Sequence, residues 1–249
     1  MKLDGKVSLI TGGAGGIGAA TALELARLGS NIMIVDWRTD GRAMEVKEKI
    51  VSLGKVCCLL QADMSVPEEV THSVQETVSQ MGSVDVLVHA AGGGVPGSLL
   101  EVTPEAWYRA FDIHLHAVFH LCRAAVPFMK NKREGAIILI SSAAGARGCA
   151  GTIAYGVAKG ALPQFARSLA RELADDNIRV NAVSPGIIRT RFQDFLTPEQ
   201  VKNNIANRIP LHREGRPEDV AEVIAMLVTH DFITGETIAI DGGMSMRMV

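Results

Sequence analysis

Aromatic residues are scarce in this chain, at 4% of 249 residues, while glycine is abundant, at 25. Together they point to tight turns and close backbone contacts. An excess of charge of one sign is also missing: 25 basic residues face 27 acidic ones, for a net charge of −2 and a pI near 6.4. Without a basic surplus, neither nucleic acid nor an anionic membrane surface is expected as a partner. No uncharged apolar run approaches the ~18 residues of a membrane span. The opening Met1-Lys2-Leu3-Asp4 has an early acid and no apolar signal segment, so a cytoplasmic location is expected. Cys57, Cys58, Cys122 and Cys149 match neither a metal-ligand spacing nor a disulfide framework and read as reduced thiols. Repeats, low-complexity tracts and linkers are absent too. A chain of this length buries roughly 70–75% of its unfolded surface, so it needs no such staple.

What is there is a recurring pair: a short apolar run, then a longer helical pattern. The runs are Val7–Ile10, Ile32–Val35, Val56–Leu60, Val84–Val88, Ala136–Ile140, Arg179–Val183 and Thr237–Ile240. They are nearly continuous rather than alternating, as in strands buried on both faces. The helical patterns cover Gly16–Leu28, Gly41–Leu53, Pro67–Met81, Pro104–Lys130, Thr152–Asp175 and Pro217–Thr229. Pro67, Pro104 and Pro217 suit first helical positions, and Thr103 suits a cap. The alternation predicts an α/β fold: a single doubly wound Rossmann-type domain over residues 1–249, with a mostly parallel seven-stranded sheet and helices on both faces. Ligands in such sheets bind beyond the carboxyl ends of the strands.

After the first run comes Thr11-Gly12-Gly13-Ala14-Gly15-Gly16-Ile17-Gly18, which opens the first helix. Glycines there let backbone approach a pyrophosphate, whose charge the helix N-terminus favours. The second run ends in Asp36, eighteen residues beyond Gly18, where an acid can accept hydrogen bonds from ribose hydroxyls. Asp36 would also repel a 2′-phosphate, so NAD is the expected cofactor and NADP the less favoured one. Arg38 could stack on adenine, meet a phosphate or remain a solvated loop cation.

The spacing Thr11-Gly12-(three residues)-Gly16-Ile17-Gly18 resembles the nucleotide motif of the short-chain dehydrogenases/reductases. Ser141-Ser142, Tyr155-Gly156-Val157-Ala158-Lys159, Asn181, Ser184-Pro185-Gly186, Thr190, Gly235-Glu236-Thr237 and Asp241-Gly242-Gly243 follow in that family's order. The resemblance spans essentially the whole chain. Tyr155 and Lys159 are four apart and share a helix face. A nearby Lys ammonium, together with the positive nicotinamide of oxidised cofactor, favours the phenolate, so Tyr155 is expected to have a lowered pKa and to act as the acid/base. Ser142 can hydrogen-bond the same substrate oxygen. The resemblance implies that Lys159 holds the nicotinamide ribose, that Asp63 and Met64 border the adenine, and that Ala91 and Gly92 lie near the adenosine ribose. It also implies that Pro185, Gly186, Ile188 and Thr190 hold the carboxamide, and that the protein is a homotetramer.

Two positions depart from the family pattern. His89-Ala90-Ala91-Gly92 stands where the family has Asn-Asn-Ala-Gly, so two amides that tie strand to cofactor loop are missing. His114 aligns with the asparagine that completes the catalytic tetrad, and reads either as its replacement in a water relay or as a packed helix histidine. His116 and His120 are one turn apart, but no third ligand follows, so no metal is expected. Substrate should meet Gly93–Pro96, Ala143–Thr152 and Ile187–Leu196, with residues 187–210 as a lid. There Phe192 and Phe195 could cover an apolar group, and Arg189 and Arg191 could bind an anion or stay solvated. The expected function is NAD(H)-dependent hydride transfer between nicotinamide and a secondary alcohol or ketone. A 3-oxoacyl-thioester reductase using NADP(H) is the alternative within the family. A non-catalytic dinucleotide-binding redox sensor is the alternative outside it.

Overall fold

In the computed structural model, which describes residues 1–194 and 196–246, seven parallel strands form one sheet in the order β3-β2-β1-β4-β5-β6-β7. The strands are β1 (Val7–Thr11), β2 (Asn31–Asp36), β3 (Cys57–Gln61), β4 (Val86–His89), β5 (Gly135–Ile140), β6 (Ile178–Pro185) and β7 (Thr237–Ile240). The chain order reverses direction between β1 and β4, which opens the crevice at their carboxyl ends. Because strand side chains alternate, each apolar run feeds two cores. Leu9, Met33, Leu87 and Ile137 point one way, towards Val70 and Val74 of α3 (Pro67–Met81), Leu121 of α5 (Ala117–Lys132) and Leu162 of α7 (Ile153–Leu173). Ile10, Ile34, Val88 and Ile138 point the other way, towards Leu25 of α1 (Gly16–Arg27), Ile50 of α2 (Gly41–Ser52) and Ile224 of α9 (Pro217–Thr229). Each such fully buried side chain contributes roughly 1.5–3 kcal/mol.

The expected helix over Pro104–Lys130 is three pieces: α4 (Pro104–Phe111), a π-helical turn (Asp112–His116) and α5. Thr103 caps α4 by accepting the Ala106 N–H at 3.2 Å. At the π turn the Ala117 N–H reaches back to the Asp112 carbonyl, one residue further than in an α-helix. The extra residue turns His114 inward, where it is 1% exposed. A four-residue helix, α6 (Ala143–Ala146), follows β5 and was not expected from the pattern. The stretch beyond β6 contains a 3₁₀ turn (Arg191–Gln193), α8 (Pro198–Asn203) and a second π turn (Asn204–Arg208). Its ends are pinned by a bridge between Ile188 and Gly215. Among the described residues no helix is long and apolar enough to cross a membrane.

Candidate active site

The glycine turn leaves β1 with the Gly12 N–H bonded to the Val35 carbonyl at 2.8 Å. Its glycines are required by contact. A Cβ on Gly12 would lie 2.7 Å from the Ala91 nitrogen, and one on Gly18 2.2 Å from the Gly12 carbonyl oxygen. Gly16 faces Thr190, which brings the loop after β6 over the turn. Ile17 packs on the α1 side core. Asp36 closes the far side: its carboxylate accepts the Ala14 N–H at 3.0 Å and the Arg38 N–H at 3.4 Å. The Arg38 guanidinium instead lies 4.1 Å from the Trp37 ring centroid. A turn closed to side chains, set at a helix N-terminus beside an acid, fits a dinucleotide.

Asp63 follows β3. Its carboxylate accepts the Ser65 backbone N–H at 2.8 Å and hydroxyl at 2.7 Å, which holds its pKa below the usual range. Arg109 of α4 lies 3.7 Å away. The Met64 side chain is buried in the core, which leaves only its backbone to meet a ligand.

The missing strand-end amides are partly replaced. His89 is fully buried and bonds on both ring nitrogens: Nε2 to the Ile113 carbonyl at 2.9 Å, Nδ1 to the Thr11 hydroxyl at 2.8 Å. A carbonyl only accepts, so Nε2 carries the proton and Nδ1 accepts from Thr11. The Thr11 oxygen in turn accepts the Ala91 N–H at 3.2 Å. His114 uses the same tautomer, with Nε2–H donating to the Gly93 carbonyl at 3.0 Å. Its Nδ1 is buried with no partner. The ring edge lies against Gly92, where a Cβ would come 2.2 Å from it. Burial, aided by the Lys159 charge, pushes His89 down to about 3 and His114 to about 2, so both are neutral at physiological pH.

The structure brings Ser142, Tyr155, Lys159 and His114 together. Ser142 caps α6, its oxygen accepting the Ala144 N–H at 3.1 Å. A Cβ on Gly145 would lie 2.7 Å from the Gly160 nitrogen, so α6 nests directly on α7. That contact sets Ser142 in hydrogen-bonding reach of Tyr155. The Tyr155 ring stands edge-on to His114, centroids 5.3 Å apart. Lys159 is buried, with Nζ 5.9 Å from the Tyr155 ring centroid and bonded to the Ile140 carbonyl at 2.6 Å. Burial pushes it down to about 7. In the chain alone burial raises the Tyr155 pKa and outweighs the Ser142 hydrogen bond, while Lys159 points its ammonium at β5; the expected lowering therefore falls to the positive nicotinamide of bound oxidised cofactor.

Beyond β6, Pro185 ends the strand and the Gly186 N–H bonds the Ile240 carbonyl at 2.9 Å. Ile188 is buried and Thr190 turns back to it. Asn181 is a structural tie, donating to the Ile233 carbonyl and accepting the Glu236 N–H. Arg189 is ion-paired with Glu214 at 2.6 Å, whereas Arg191 is exposed. A cavity of about 580 Å³ lies here, walled by Leu196, Pro198, Val201, Ile205 and Ala206 with Arg189 and Lys202. The expected cover by Phe192 and Phe195 falls on side chains outside the described residues. His116 pairs with Asp112 at 2.9 Å, and His120 lines a separate cleft with Thr71 and Arg123. Sequence reasoning missed the double bonding of His89, whose only signal was a polar residue ending an apolar strand. It also missed the Gly145–Gly160 contact and the Arg109–Asp63 pair, which join residues far apart in the chain.

The comparisons with known proteins agree along the whole chain. The family described as "Enoyl-(Acyl carrier protein) reductase" matches residues 12–245. A "3-oxoacyl-[acyl-carrier-protein] reductase FabG" of Thermotoga maritima is 37% identical over 246 residues, covering 98% of this chain and 99% of its own. Its counterpart of the same description in Staphylococcus aureus is 38% identical over 243 residues, covering 97% and 98%. The crystal structure of a short-chain type dehydrogenase/reductase from Mycobacterium marinum superposes with a TM-score of 0.92 at 30% identity, covering 99% of this chain and 98% of that one. With the sheet order, the glycine turn and the Ser142–Tyr155–Lys159 cluster already in place, these matches establish that the chain belongs to the short-chain dehydrogenase/reductase family and is an oxidoreductase of the nicotinamide-dinucleotide class.

Proposed function

We propose that this protein reduces 3-oxoacyl thioesters, with NADH as the favoured cofactor. The direction rests on the full-length likeness to reductases, and the observation that carries the chemistry is the Tyr155 phenol held in hydrogen-bonding reach of Ser142, where it can give a proton to a carbonyl oxygen. The substrate class rests on the full-length likeness to 3-oxoacyl-[acyl-carrier-protein] reductases, and on a largely apolar cavity with Arg189 and Lys202 at its wall. Apolar walls suit an acyl chain, and Lys202 suits an anionic group beyond it. This favours the thioester over the simple secondary alcohol or ketone first expected from the sequence. The carrier-bound acyl group is the natural form of such a substrate, and residues 187–210 serve as its lid.

When bound, the dinucleotide supplies the hydride. Gly12, Gly16, Ile17 and Gly18 with the α1 N-terminus hold its pyrophosphate, and Asp36 takes the ribose hydroxyls. Asp63, Met64, Ala91 and Gly92 border the adenosine. Pro185, Gly186, Ile188 and Thr190 hold the carboxamide side. Tyr155 donates its proton to the substrate oxygen while the Ser142 hydroxyl hydrogen-bonds that oxygen. Lys159 turns from the Ile140 carbonyl to hold the nicotinamide ribose. His114, with Nδ1 free to accept, takes the relay position of the family asparagine. Self-association into a tetramer rests on the family likeness alone.

Nicotinamide absorbance with a 3-oxoacyl thioester, a panel of simple ketones, and each cofactor tests this reading. NADH is expected to exceed NADPH by at least roughly tenfold in kcat/KM, ~1.4 kcal/mol, because Asp36 repels a 2′-phosphate. The thioester is expected to exceed every simple ketone. Faster turnover of a simple ketone overturns the substrate class, and equal efficiency with NADPH overturns the cofactor choice. Binding of both dinucleotides without turnover of any carbonyl would make the chain a redox sensor.

A further inference from the structure

His89 does more than stand in for a strand-end amide, because it connects the cofactor loop to the π turn. One ring nitrogen reaches the cofactor side: Nδ1 accepts the Thr11 hydroxyl at 2.8 Å, and the Thr11 oxygen holds the Ala91 N–H at 3.2 Å. The other reaches the catalytic side: Nε2–H donates at 2.9 Å to the carbonyl of Ile113, inside the π turn. In a π turn the backbone carbonyls leave the regular ladder, so an outside donor can fix where the turn sits. The next residue in that turn is His114, whose ring lies against Gly92 on one side and edge-on to Tyr155 on the other. A fully buried imidazole bonded on both nitrogens has one orientation and one tautomer.

We propose that His89 is a positioning residue with two separable duties: through Thr11 it sets the Ala91–Gly92 cofactor loop, and through Ile113 it sets the π turn that presents His114 to Tyr155. The proposal rests on the dinucleotide reductase reading above. It does not need that reading's substrate, because the first duty is visible in cofactor binding alone. A purely structural histidine would affect both halves together, in step with stability.

Two variants separate the duties. In His89→Asn the amide oxygen stands where Nδ1 stood and still accepts from Thr11, but nothing reaches Ile113. In His89→Gln the longer amide nitrogen reaches towards Ile113 as Nε2 did, and the Thr11 acceptor is lost. NADH and NADPH affinity is read by nicotinamide fluorescence at equilibrium, kcat at saturating cofactor, and folding by thermal melting. His89→Asn is expected to keep the cofactor Kd within about twofold and lose about tenfold in kcat, the scale of one buried hydrogen bond. His89→Gln is expected to weaken cofactor binding about fivefold and keep kcat within about threefold. Thr11→Val, which replaces a hydroxyl by a methyl at nearly constant volume, is expected to copy the His89→Gln affinity loss, and Thr11→Ser to restore wild-type binding. If both His89 variants change Kd and kcat in parallel with melting temperature, or neither changes, the proposal is overturned. If the His89 variants do not fold, Thr11→Val with wild-type affinity overturns it. Wild type that binds cofactor but reduces no carbonyl fails the functional reading, while the Thr11 arm still decides the cofactor-side duty.

Discussion

A Cβ on Gly18 would sit 2.2 Å from the Gly12 carbonyl oxygen, whereas a Cβ on Gly93 or Gly148 would meet nothing within 4 Å. Those figures separate two sides of one crevice. The cofactor side, from β1 to β3, is made of backbone packed on backbone and closed by Asp36 on the Ala14 N–H. The proposed substrate side, beyond β4, β5 and β6, mixes tight contacts such as Gly145 on α7 with open loop positions at Gly93 and Gly148 and a cavity of about 580 Å³. Between them stand buried polar side chains, His89, His114 and Lys159, which neither side resembles. A shared cofactor demands close backbone approach, which leaves few sequence solutions. In the proposed reading, substrate selection falls to the loop positions with space around them, where side chains can vary without displacing the sheet.

The strongest break in this contrast is expected at the boundary. Tyr155→Phe removes the proton donor and keeps the ring against His114. Turnover should fall about a hundredfold or more, the lower end for a lost general acid. Cofactor affinity, measured by nicotinamide fluorescence, should stay within about threefold, since the turn and Lys159 are untouched.

Next comes the cofactor side itself. Gly18→Ala forces backbone to move, an overpacking cost of roughly 1–3 kcal/mol. Cofactor Kd should rise at least about tenfold and the melting temperature should fall. Unchanged affinity would mean that the turn relaxes freely and that the contrast with Gly148 is wrong.

The buried lysine tests the boundary through pH. Burial pushes Lys159 down to about 7 in the folded chain, against 10.5 for a solvated lysine. Between those values the unfolded state binds the extra proton, so stability should rise as pH goes from 7 towards 10. The slope contributed by one such group is at most ~1.4 kcal/mol per pH unit. Urea titrations should show that rise in wild type and a smaller one in Lys159→Met, which carries no titrating group there. Equal slopes in the two would show that Lys159 is solvated and normally charged.

The smallest effect belongs to the substrate side. Gly148→Ala, with open space around it, should change stability by no more than ~0.5 kcal/mol. Cofactor Kd should not move, and any change should appear in the KM for the carbonyl substrate.

How far the sequence could be read follows the same division. The seven strand runs and six helical patterns were legible because apolar periodicity reports burial directly, and Pro67, Pro104 and Pro217 mark helix starts as observed. The glycine turn, Asp36 and the Tyr155–Lys159 spacing were legible because they are local. The break in the helix at 112–116 was not, since a π turn adds one residue without changing composition. Nor was the partner of Arg189, because Glu214 is brought to it by the Ile188–Gly215 bridge across 25 residues of chain.

By itself the sequence determined the layered architecture and the residue types at the carboxyl edge, because the succession of runs along the chain and their spacing are written in short-range pattern. Only the tertiary structure decided their chemical states. His89 is neutral and doubly bonded because three distant segments close around it. Lys159 is depressed to about 7 and turned to Ile140 because α7 lies against β5. In the chain alone Tyr155 is raised because burial outweighs the Ser142 hydrogen bond. Burial and orientation are sums over neighbours from the whole chain, and no local spacing contains them.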